Sequence, residues 1–390
     1  MIHTEEHCCG SLSCFARRIS TKKGTSQMNR NAVTTERMRW VDVLKFLGIF
    51  AIYLGHFGEQ AGKLYPFFYT YHVPLFFFVS GFFADIRNGE TFLIFARKKF
   101  RTLMMPYFVF VALSMLMHAV QYDLAAEILL YELQRYVFAV RNTLLHSSLW
   151  FFSCLFAVSL MHRLLMMIAK RKWIVLAVSL VPACFCQFEQ PSWFWNLDSA
   201  LQYLVYYALG NICFSIISKY RYECFRFKGR LVYAILVLIS FLIAFKTYLF
   251  GSLYLMLKVL GFYLPSQAEA FFTVINTSII LFANIQLAFW LDRKNLFGSI
   301  GRETLMLCGM EFVTKNILQS VIAMLGFAVR LDTPLMALLY TVLCVAVSYK
   351  VLVPILHKCF GGLLGIKESV SHDASNAYAK QMDKQDRAAM

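Results

Sequence analysis

Long apolar stretches separated by short polar segments dominate the chain between residues 41 and 357. Each stretch has roughly the 17 to 25 residues that a helix needs to cross a bilayer. The lengths are helical, and the short alternating strands of a membrane barrel are not seen, so every span is predicted to be an α-helix. Ten spans are predicted, at 41–58, 66–84, 103–120, 147–168, 173–188, 198–218, 231–250, 270–291, 303–327 and 334–357.

The two terminal segments are polar. Residues 1–38 are rich in Ser, Thr and basic residues, and residues 358–390 are also polar, so both are predicted to be disordered tails. Residues 39–357 are predicted to form one transmembrane domain of ten spans. The predicted fold class is therefore all-α, a polytopic transmembrane helix bundle.

Composition and charge agree with a membrane protein. Of 390 residues, 59% are hydrophobic and 15% are charged, whereas about 25% of the residues in soluble domains are charged. The formal net charge of +16 could indicate a nucleic-acid partner, but Lys and Arg concentrate in alternate connections between the spans. Cytoplasmic retention of positive charge accounts for that distribution. We therefore predict no nucleic-acid partner and place both termini in the cytoplasm.

Four ionisable residues lie inside the first two apolar spans: Asp42, Lys45, His56 and His72. At about 100° per residue, Lys45 lies within about 20° of His56 and Asp42 within about 40° of His56, so the three share one helix face. Such groups are costly in lipid and often mark a functional interior. In the alternative interpretation, the Asp42 and Lys45 pair orients the span at the interface, and the histidines are merely hydrogen-bonded or interfacial. In the functional interpretation, an imidazole acts as a general base near neutral pH.

A basic cluster follows the second span, at Arg97, Lys98, Lys99 and Arg101. Anchoring by positive charge on the cytoplasmic side explains such a cluster. Anchoring is the more common cause, and the functional alternative is binding of phosphate groups, for which Arg and Lys supply charge-assisted donors. The cluster alone does not choose between the two.

The eleven cysteines give little indication of function. Several lie in or beside apolar spans, where cysteine behaves as a small hydrophobic residue. No spacing with histidines matches a metal site, so no metal is predicted.

Three sequence elements together resemble acyltransferase family 3 of integral membrane proteins, in particular its glycan O-acetyltransferase branch, which is similar to fucose 4-O-acetylase. The first is an Asp-x-x-Lys pair followed by Gly-His, and the second is a histidine before a Pro-Leu-Phe-Phe-Phe-x-Ser-Gly run. The third is a basic motif that ends in Pro-Tyr. The elements read here as Asp42, Lys45, Gly55 and His56; His72, Pro74–Phe78, Ser80 and Gly81; and Arg97, Lys98, Lys99, Arg101, Pro106 and Tyr107.

Weaker similarity continues downstream, at Leu149–Phe151, between Asp198 and Gly210, and at Ile300–Leu305. The sequence departs from the family pattern at two positions. Lys45 stands where the family often has an arginine, and lysine lacks the planar fork for a bidentate contact. Glu311 stands where the family often has a histidine, and no role is transferred to it.

The resemblance implies an enzyme, a membrane O-acyltransferase. Members of the family transfer an acyl group, commonly acetyl from acetyl-CoA, to a sugar hydroxyl of a glycan. The implied partners are the acyl-CoA donor, the glycan acceptor and the bilayer, which is expected to be a bacterial inner (plasma) membrane. Acetyl-CoA would be a co-substrate, and no permanently bound cofactor is expected. A homo-oligomer and an association with glycan-synthesis machinery both stay open.

The resemblance also implies a catalytic role for the two histidines. His56 is expected to be a general base or a transient acyl carrier. Its orientation would come from the helix face that carries Asp42 and Lys45. His72 would assist acceptor binding or proton transfer.

A second group of residues is expected to bind the substrates. Arg97, Lys98 and Arg101 would hold the phosphates of CoA. Aromatic faces and carboxylates commonly meet sugars, and the candidates on that side are Trp150, Trp193, Asp198 and Glu311. The alternatives are anchoring at a span end for Trp193 and turn formation for Asp198.

Two other classes of function compete with an acyltransferase. A polytopic transporter or exporter of glycan or protons could use the buried Asp, Lys, His and Glu groups, with Glu311 as the proton site. Against it, no paired broken helices occur in corresponding halves of the chain. A membrane sensor or scaffold without catalysis is the third class.

Overall fold

The computed structural model describes residues 38–362, except 63, 86–89, 123–125, 142–146, 187–192, 225–234, 236–256, 263–264, 293–294, 328 and 330. In the residues so described, every regular element is a helix and no strand occurs. The predicted all-α class is confirmed for them. The predicted span 231–250 and most of the two predicted tails lie outside the described residues.

Fourteen α-helices are labelled here in chain order. The first seven are α1 Arg39–Gly55, α2 Leu64–Tyr69, α3 His72–Gly81, α4 Phe92–Lys99, α5 Met105–Tyr122, α6 Ala126–Phe138 and α7 Trp150–Ala169. The others are α8 Lys172–Phe185, α9 Leu197–Cys224, α10 Ser266–Leu291, α11 Asn295–Arg302, α12 Thr304–Met324, α13 Pro334–Val347 and α14 Val353–Phe360. Turns of π-helix at Phe100–Met104 and Ser348–Leu352 join α4 to α5 and α13 to α14.

Six of these helical segments are long and apolar enough to cross a membrane, which confirms an integral multi-pass membrane protein. They are Phe92–Val120, Trp150–Ala169, Phe194–Ser218, Gln267–Leu291, Thr304–Met324 and Pro334–Phe360. Helices α1 and α8 correspond to two further predicted spans, but they have only 17 and 14 residues. The count of ten spans and the cytoplasmic position of the termini stay predictions.

The predicted span 66–84 is not one continuous helix. It consists of α2 and α3, because the chain leaves the helical conformation at Tyr71, where φ is −139°. The ten residues of α3 extend about 15 Å, half the thickness of the hydrocarbon core. Pro74 lies in the first turn of α3, where a missing N–H removes no helical hydrogen bond. The break makes His72 the first residue of α3.

The segment 121–146, predicted as a connection between spans, contains helix α6. Within it Arg135 Nη1 donates to Glu132 Oε1 at 2.9 Å. The Trp195 indole nitrogen donates to the carbonyl oxygen of Val137 at 3.1 Å, and Tyr107 donates its hydroxyl to the carbonyl oxygen of Tyr136 at 2.5 Å. The helix is therefore joined to α5 and to the turn before α9.

Helices α3 and α9 pack closely because each has a glycine at the contact. A Cβ atom on Gly81 would collide with the carbonyl oxygen of Tyr207, and one on Gly210 would collide with the carbonyl oxygen of Phe78. Small residues at such positions let two membrane helices approach to backbone contact. This packing fixes the depth of α3, and with it the position of His72.

The end of α3 is also tied to α8 and α9 by a polar contact. Lys172 Nζ lies 2.6 Å from Asp85 Oδ1, and Asn211 Nδ2 donates to the same oxygen at 3.0 Å. Burial by itself acts to raise the pKa of Asp85, but the hydrogen bonds from Lys172 and Asn211 lower it below its ordinary value. The carboxylate therefore stays charged and holds both donors.

We expect the substitution Gly210→Ala to destabilise the protein. Its Cβ atom would meet the carbonyl oxygen of Phe78, and overpacking of this kind costs about 1–3 kcal/mol. The apparent melting temperature in detergent should fall. Gly362→Ala is the control, because a Cβ there has open space. Equal melting temperatures for the two variants would contradict the close packing of α3 on α9.

Candidate functional site

His56 follows directly after the last residue of α1, where its backbone N–H still donates to the carbonyl oxygen of Ile52 at 3.0 Å. The imidazole Nδ1 lies 3.1 Å from Oε2 of Glu311, and the His56 side chain is 20% exposed whereas that of Glu311 is 5% exposed. Glu311 belongs to α12. The end of one helix and the interior of another thus meet through a histidine and a carboxylate.

Ser148 joins this pair from the helical turn before α7. Its hydroxyl donates to Glu311 Oε2 at 2.8 Å, and Ser148 Oγ lies 3.4 Å from His56 Nδ1. Both groups that face Nδ1 are therefore acceptors, so Nδ1 carries the proton. In a neutral imidazole the other nitrogen, Nε2, then has the free lone pair. A carboxylate that fixes this tautomer prepares Nε2 to accept a proton.

Lys315 completes the polar group one helical turn after Glu311. It forms an ion pair with Glu311 Oε1 and donates to the carbonyl oxygen of Tyr53 at 3.1 Å. Its Nζ lies 4.1 Å from the centroid of the Phe57 ring. A buried carboxylate is destabilising unless it is paired and hydrogen-bonded, and Lys315, Ser148 and His56 together meet that requirement for Glu311.

His72 lies beside His56 at the start of α3. The two rings are perpendicular, at 89°, and their centroids are 6.3 Å apart. His72 Nδ1 is 2.8 Å from the carbonyl oxygen of Phe68, and because a carbonyl only accepts, Nδ1 is the donor. The neutral ring then also has its free lone pair on Nε2. We call His56, His72, Ser148, Glu311 and Lys315 the histidine site.

Arg141 adds a positive charge close to the histidine site. Its guanidinium carbon lies 4.0 Å from the centroid of the Trp150 ring, and the group also interacts with the hydroxyl of Tyr203. The Tyr69 ring lies 4.8 Å from the ring of His72. Trp150, a sequence candidate for the glycan side, is therefore close to a cation and to other aromatic residues.

Three residues in or next to the histidine site were not predicted from the sequence: Ser148, Lys315 and Arg141. The spacing of Lys315, four residues after Glu311, places the two on one helix face and was a signal that could have been used. Ser148 and Arg141 carry no comparable signal, because they lie in or next to a connection between helices and come close to the site only in the folded chain.

Asp42 and Lys45 lie toward the other end of α1. Lys45 Nζ is 3.4 Å from Asp42 Oδ1. At 1.5 Å per residue, His56 lies roughly 16–21 Å further along the helix axis. The pair is therefore too far from His56 to orient it by direct contact, and the carboxylate beside His56 is that of Glu311.

A cavity of about 250 Å³ begins near Lys45. Lys45, Lys99 and Arg302 contribute three positive charges to its lining, and Ser80 and Thr102 contribute hydroxyls. The remaining lining includes Phe76, Phe151 and Cys308. Phe76 lies one helical turn after His72, and Cys308 lies three residues before Glu311. The cavity thus extends from a cationic end towards the histidine site.

The residues predicted to hold phosphates are not those that line the cavity. Arg97, Lys98 and Arg101 are exposed and are absent from its lining. Lys98 instead lies 3.5 Å from Glu90 Oε1. Lys99, from the same cluster, lines the cavity just before the π-helical turn, and the altered winding of that turn also brings Thr102 to it.

Asp198 has a structural position. It is fully buried, and its carboxylate accepts the backbone N–H groups of Trp193 at 2.9 Å and of Ser199 at 2.6 Å. A carboxylate at the first turn of a helix stabilises that end. Trp193 is 48% exposed, which suits a tryptophan at a membrane interface. These contacts and this exposure agree with turn formation for Asp198 and anchoring for Trp193.

No group of three His, Cys, Asp or Glu residues that could hold a metal ion occurs among the residues that the structure describes. The arrangement present is instead suited to acid–base chemistry: a histidine oriented by a carboxylate, next to a second histidine.

Comparison with known proteins gives one match. A family model described as "Acyltransferase domain", that of acyltransferase family 3, matches residues 38–353. The comparisons with curated proteins and with solved structures give no significant match. The match covers most of the chain, including both histidines and Glu311, and it does not favour the transporter interpretation.

We expect Lys315→Met to destabilise the protein strongly, because it leaves Glu311 buried without its cation. Breaking a buried pair in this way costs about 3–5 kcal/mol. The double variant Lys315→Met with Glu311→Gln should lose less than the sum of the two single changes, as measured by apparent melting temperature in detergent.

Lys98→Met is the matched control, since the Lys98 and Glu90 pair is exposed on the lysine side. An exposed pair contributes about 0–1 kcal/mol. If Lys315→Met and Lys98→Met had the same apparent melting temperature, the burial of Glu311 would not depend on its ion pair with Lys315.

Proposed function

Because the chain belongs to acyltransferase family 3, it is a membrane acyltransferase, and we propose that it transfers an acyl group, most simply acetyl, from cytoplasmic acyl-CoA to a sugar hydroxyl of a cell-surface or exported glycan. The observation that carries this proposal is the contact of 3.1 Å between His56 Nδ1 and Glu311 Oε2. That contact leaves Nε2 of His56 as a base, and the helices that carry His72 and Glu311 also line a cavity with a cationic end.

In the proposed reaction, His56 Nε2 removes the proton from the acceptor hydroxyl as its oxygen attacks the thioester carbonyl carbon. The new C–O bond forms, the C–S bond breaks, and the departing thiolate takes the proton from the imidazolium. Glu311 lies against Nδ1–H and stabilises the imidazolium while it exists. His72 Nε2 is placed to accept a hydrogen bond from the acceptor or to carry a proton.

A transient acyl-histidine uses the same atom. His56 Nε2 would first attack the thioester and release CoA, and the acceptor hydroxyl would then displace the imidazole. Both routes need Nδ1 protonated and Nε2 free. Rapid acid quenching followed by mass analysis of the His56 peptide separates them, because only the second route attaches an acyl group to that peptide.

The cavity lined by Lys45, Lys99 and Arg302 suits the donor. CoA carries phosphate groups, which ammonium and guanidinium groups bind through charge-assisted hydrogen bonds. The apolar lining at Phe76 and Phe151 suits the thin arm that ends in the thioester. A donor bound in this direction would present its acyl group towards the histidine site.

We also propose a role for the exposed cations of the basic cluster. Arg97, Lys98 and Arg101 would attract the anionic donor to the membrane surface and into the cavity, because clustered charge raises the rate of encounter. Their contribution would be larger in low salt than in high salt.

The proposed partners are the donor, the glycan and the bilayer, which is taken to be a bacterial inner membrane. A second copy of the chain or glycan-synthesis machinery is also proposed as a partner.

On the acceptor side, Trp150 would offer an aromatic face next to Arg141. Asp198 would contribute indirectly, by holding the first turn of α9. Glu311 would act through His56 without contacting the sugar.

We expect His56→Ala to lose acyl transfer by roughly 10²–10⁴-fold, the usual contribution of a general base. Glu311→Gln should also lower kcat, because an amide fixes the tautomer less well than a carboxylate does. The measurement is acceptor-dependent release of CoA thiol by purified protein in detergent or nanodiscs.

His357→Ala is the matched control for the histidine. His357 lies in α14, and its Nε2 is 3.1 Å from Glu303 Oε2. It should keep the activity of the wild type. Full transfer activity in a correctly inserted His56→Ala protein would refute the catalytic assignment.

We expect Lys45→Gln and Arg302→Gln each to raise the KM for acyl-CoA by about tenfold, since one charge-assisted hydrogen bond contributes about 1.5–3 kcal/mol. Arg97→Gln should lower kcat/KM for acyl-CoA by less than either of these two changes does, and it should do so only in low salt. Lys358→Gln, which removes one exposed positive charge, serves as the control. A larger rise in KM for Arg97→Gln than for Lys45→Gln would place the donor at the exposed cluster.

A further inference from the structure

A second cavity, of about 410 Å³, is lined by Tyr69 and by residues outside the histidine site. Its lining residues come from five parts of the chain: the end of α2, the first turn of α3, the end of α8, the start of α9 and the first turns of α10. Those with polar side chains are Tyr69, Thr70, Gln202, Tyr203, Tyr206, Thr273 and Thr277.

The position of this cavity links it to the histidine site. Tyr69 lines it, and the Tyr69 ring is 4.8 Å from the ring of His72. Pro74, two residues after His72, also lines it. The first cavity approaches the histidines from the Lys45 end of α1, whereas this one borders them at the His56 end. A ligand here would therefore reach the histidines without crossing the donor cavity.

The chemistry of the lining is that of hydroxyl and amide groups. Among the described residues that line this cavity, none is charged. Arg141 interacts with the hydroxyl of Tyr203 but does not itself line the cavity. Three tyrosine rings add flat apolar faces. Convergent hydroxyls beside aromatic faces, in a volume within the usual range of ligand pockets, suit a polar ligand without formal charge.

Two of these hydroxyls and the side-chain amide of Gln202 are held in place by hydrogen bonds to backbone carbonyl oxygens. Thr273 donates to the carbonyl oxygen of Glu269 at 2.9 Å, and Thr277 donates to that of Thr70 at 3.2 Å. Gln202 donates through Nε2 to the carbonyl oxygen of Cys186 at 3.0 Å. Groups whose donors are fixed in this way present acceptor oxygens in fixed positions, and sugar hydroxyls are the donors that match them.

We propose that this cavity is the acceptor subsite and that it holds an uncharged sugar unit next to the hydroxyl that becomes acylated. The inference rests on the proposed function and specifies its acceptor: a neutral glycan residue is accepted here, and a uronic acid or other acidic sugar is disfavoured, because a carboxylate would lose water without gaining a cation.

Thr273→Phe and Thr273→Val test the proposal. Thr273 is exposed, so either change should leave the fold intact. The bulky phenylalanine should raise the KM for a neutral oligosaccharide acceptor at least tenfold, and valine, which removes only the hydroxyl, should raise it severalfold. The KM for acyl-CoA should not change in either variant.

Ser278→Val is the matched control on the same helix. Ser278 also donates within α10, to the carbonyl oxygen of Val274 at 2.7 Å, but it does not line the cavity. It should leave both KM values unchanged. An unchanged acceptor KM in Thr273→Phe would overturn the subsite while leaving the proposed function intact.

Binding without turnover separates the two proposals further. Saturation-transfer NMR on the His56→Ala protein, with a neutral methyl hexoside and the corresponding uronic acid as probes, should detect the neutral probe alone. The signal should disappear when Thr273→Phe is added. Stronger binding of the uronic acid would refute the neutral subsite. If the wild type acylates no sugar and neither probe binds, both proposals fail together.

Discussion

The structure depends on one buried carboxylate. Glu311 lies inside a membrane-spanning helix, where a lone charge is strongly destabilising. Lys315 comes from the same helix, Ser148 from a turn before α7, and His56 from the end of α1. Because these contacts satisfy one charge, they also fix where three separate segments meet. The geometry of the histidine site and the helix packing at this point have the same physical cause.

Helix α1 has a different group of polar residues at each of its two ends. At one end, Lys45 joins Lys99 and Arg302 around a cavity, and at the other end His56 joins Glu311. By itself, α1 only holds the group at Lys45 apart from the group at His56. The short helix α3 connects them, since His72 begins it at the histidine site and Phe76 and Ser80 line the cavity further along. The close contact of α3 with α9 at two glycines keeps that alignment.

Hydropathy predicted the helical class and most spans, because burial in lipid requires long apolar helices whatever their arrangement. It did not reveal the break at Tyr71, since most residues around it are apolar or aromatic. Helical periodicity predicted that Lys45 and His56 share one face, but a shared face says nothing about distance along the axis. The partner of His56 lies far away in sequence, so no local pattern could identify Glu311.

Glu311 and Lys315 are best understood as one unit. A carboxylate in place of the histidine that the family often has brings a negative charge into the membrane interior, and Lys315 compensates it through the other oxygen. The pair has no net charge, yet Oε2 still faces His56 Nδ1. An imidazole partner would need no such lysine, but it could change its own tautomer and so would fix that of His56 less firmly. The glutamate therefore fixes the tautomer of His56, provided that Lys315 accompanies it.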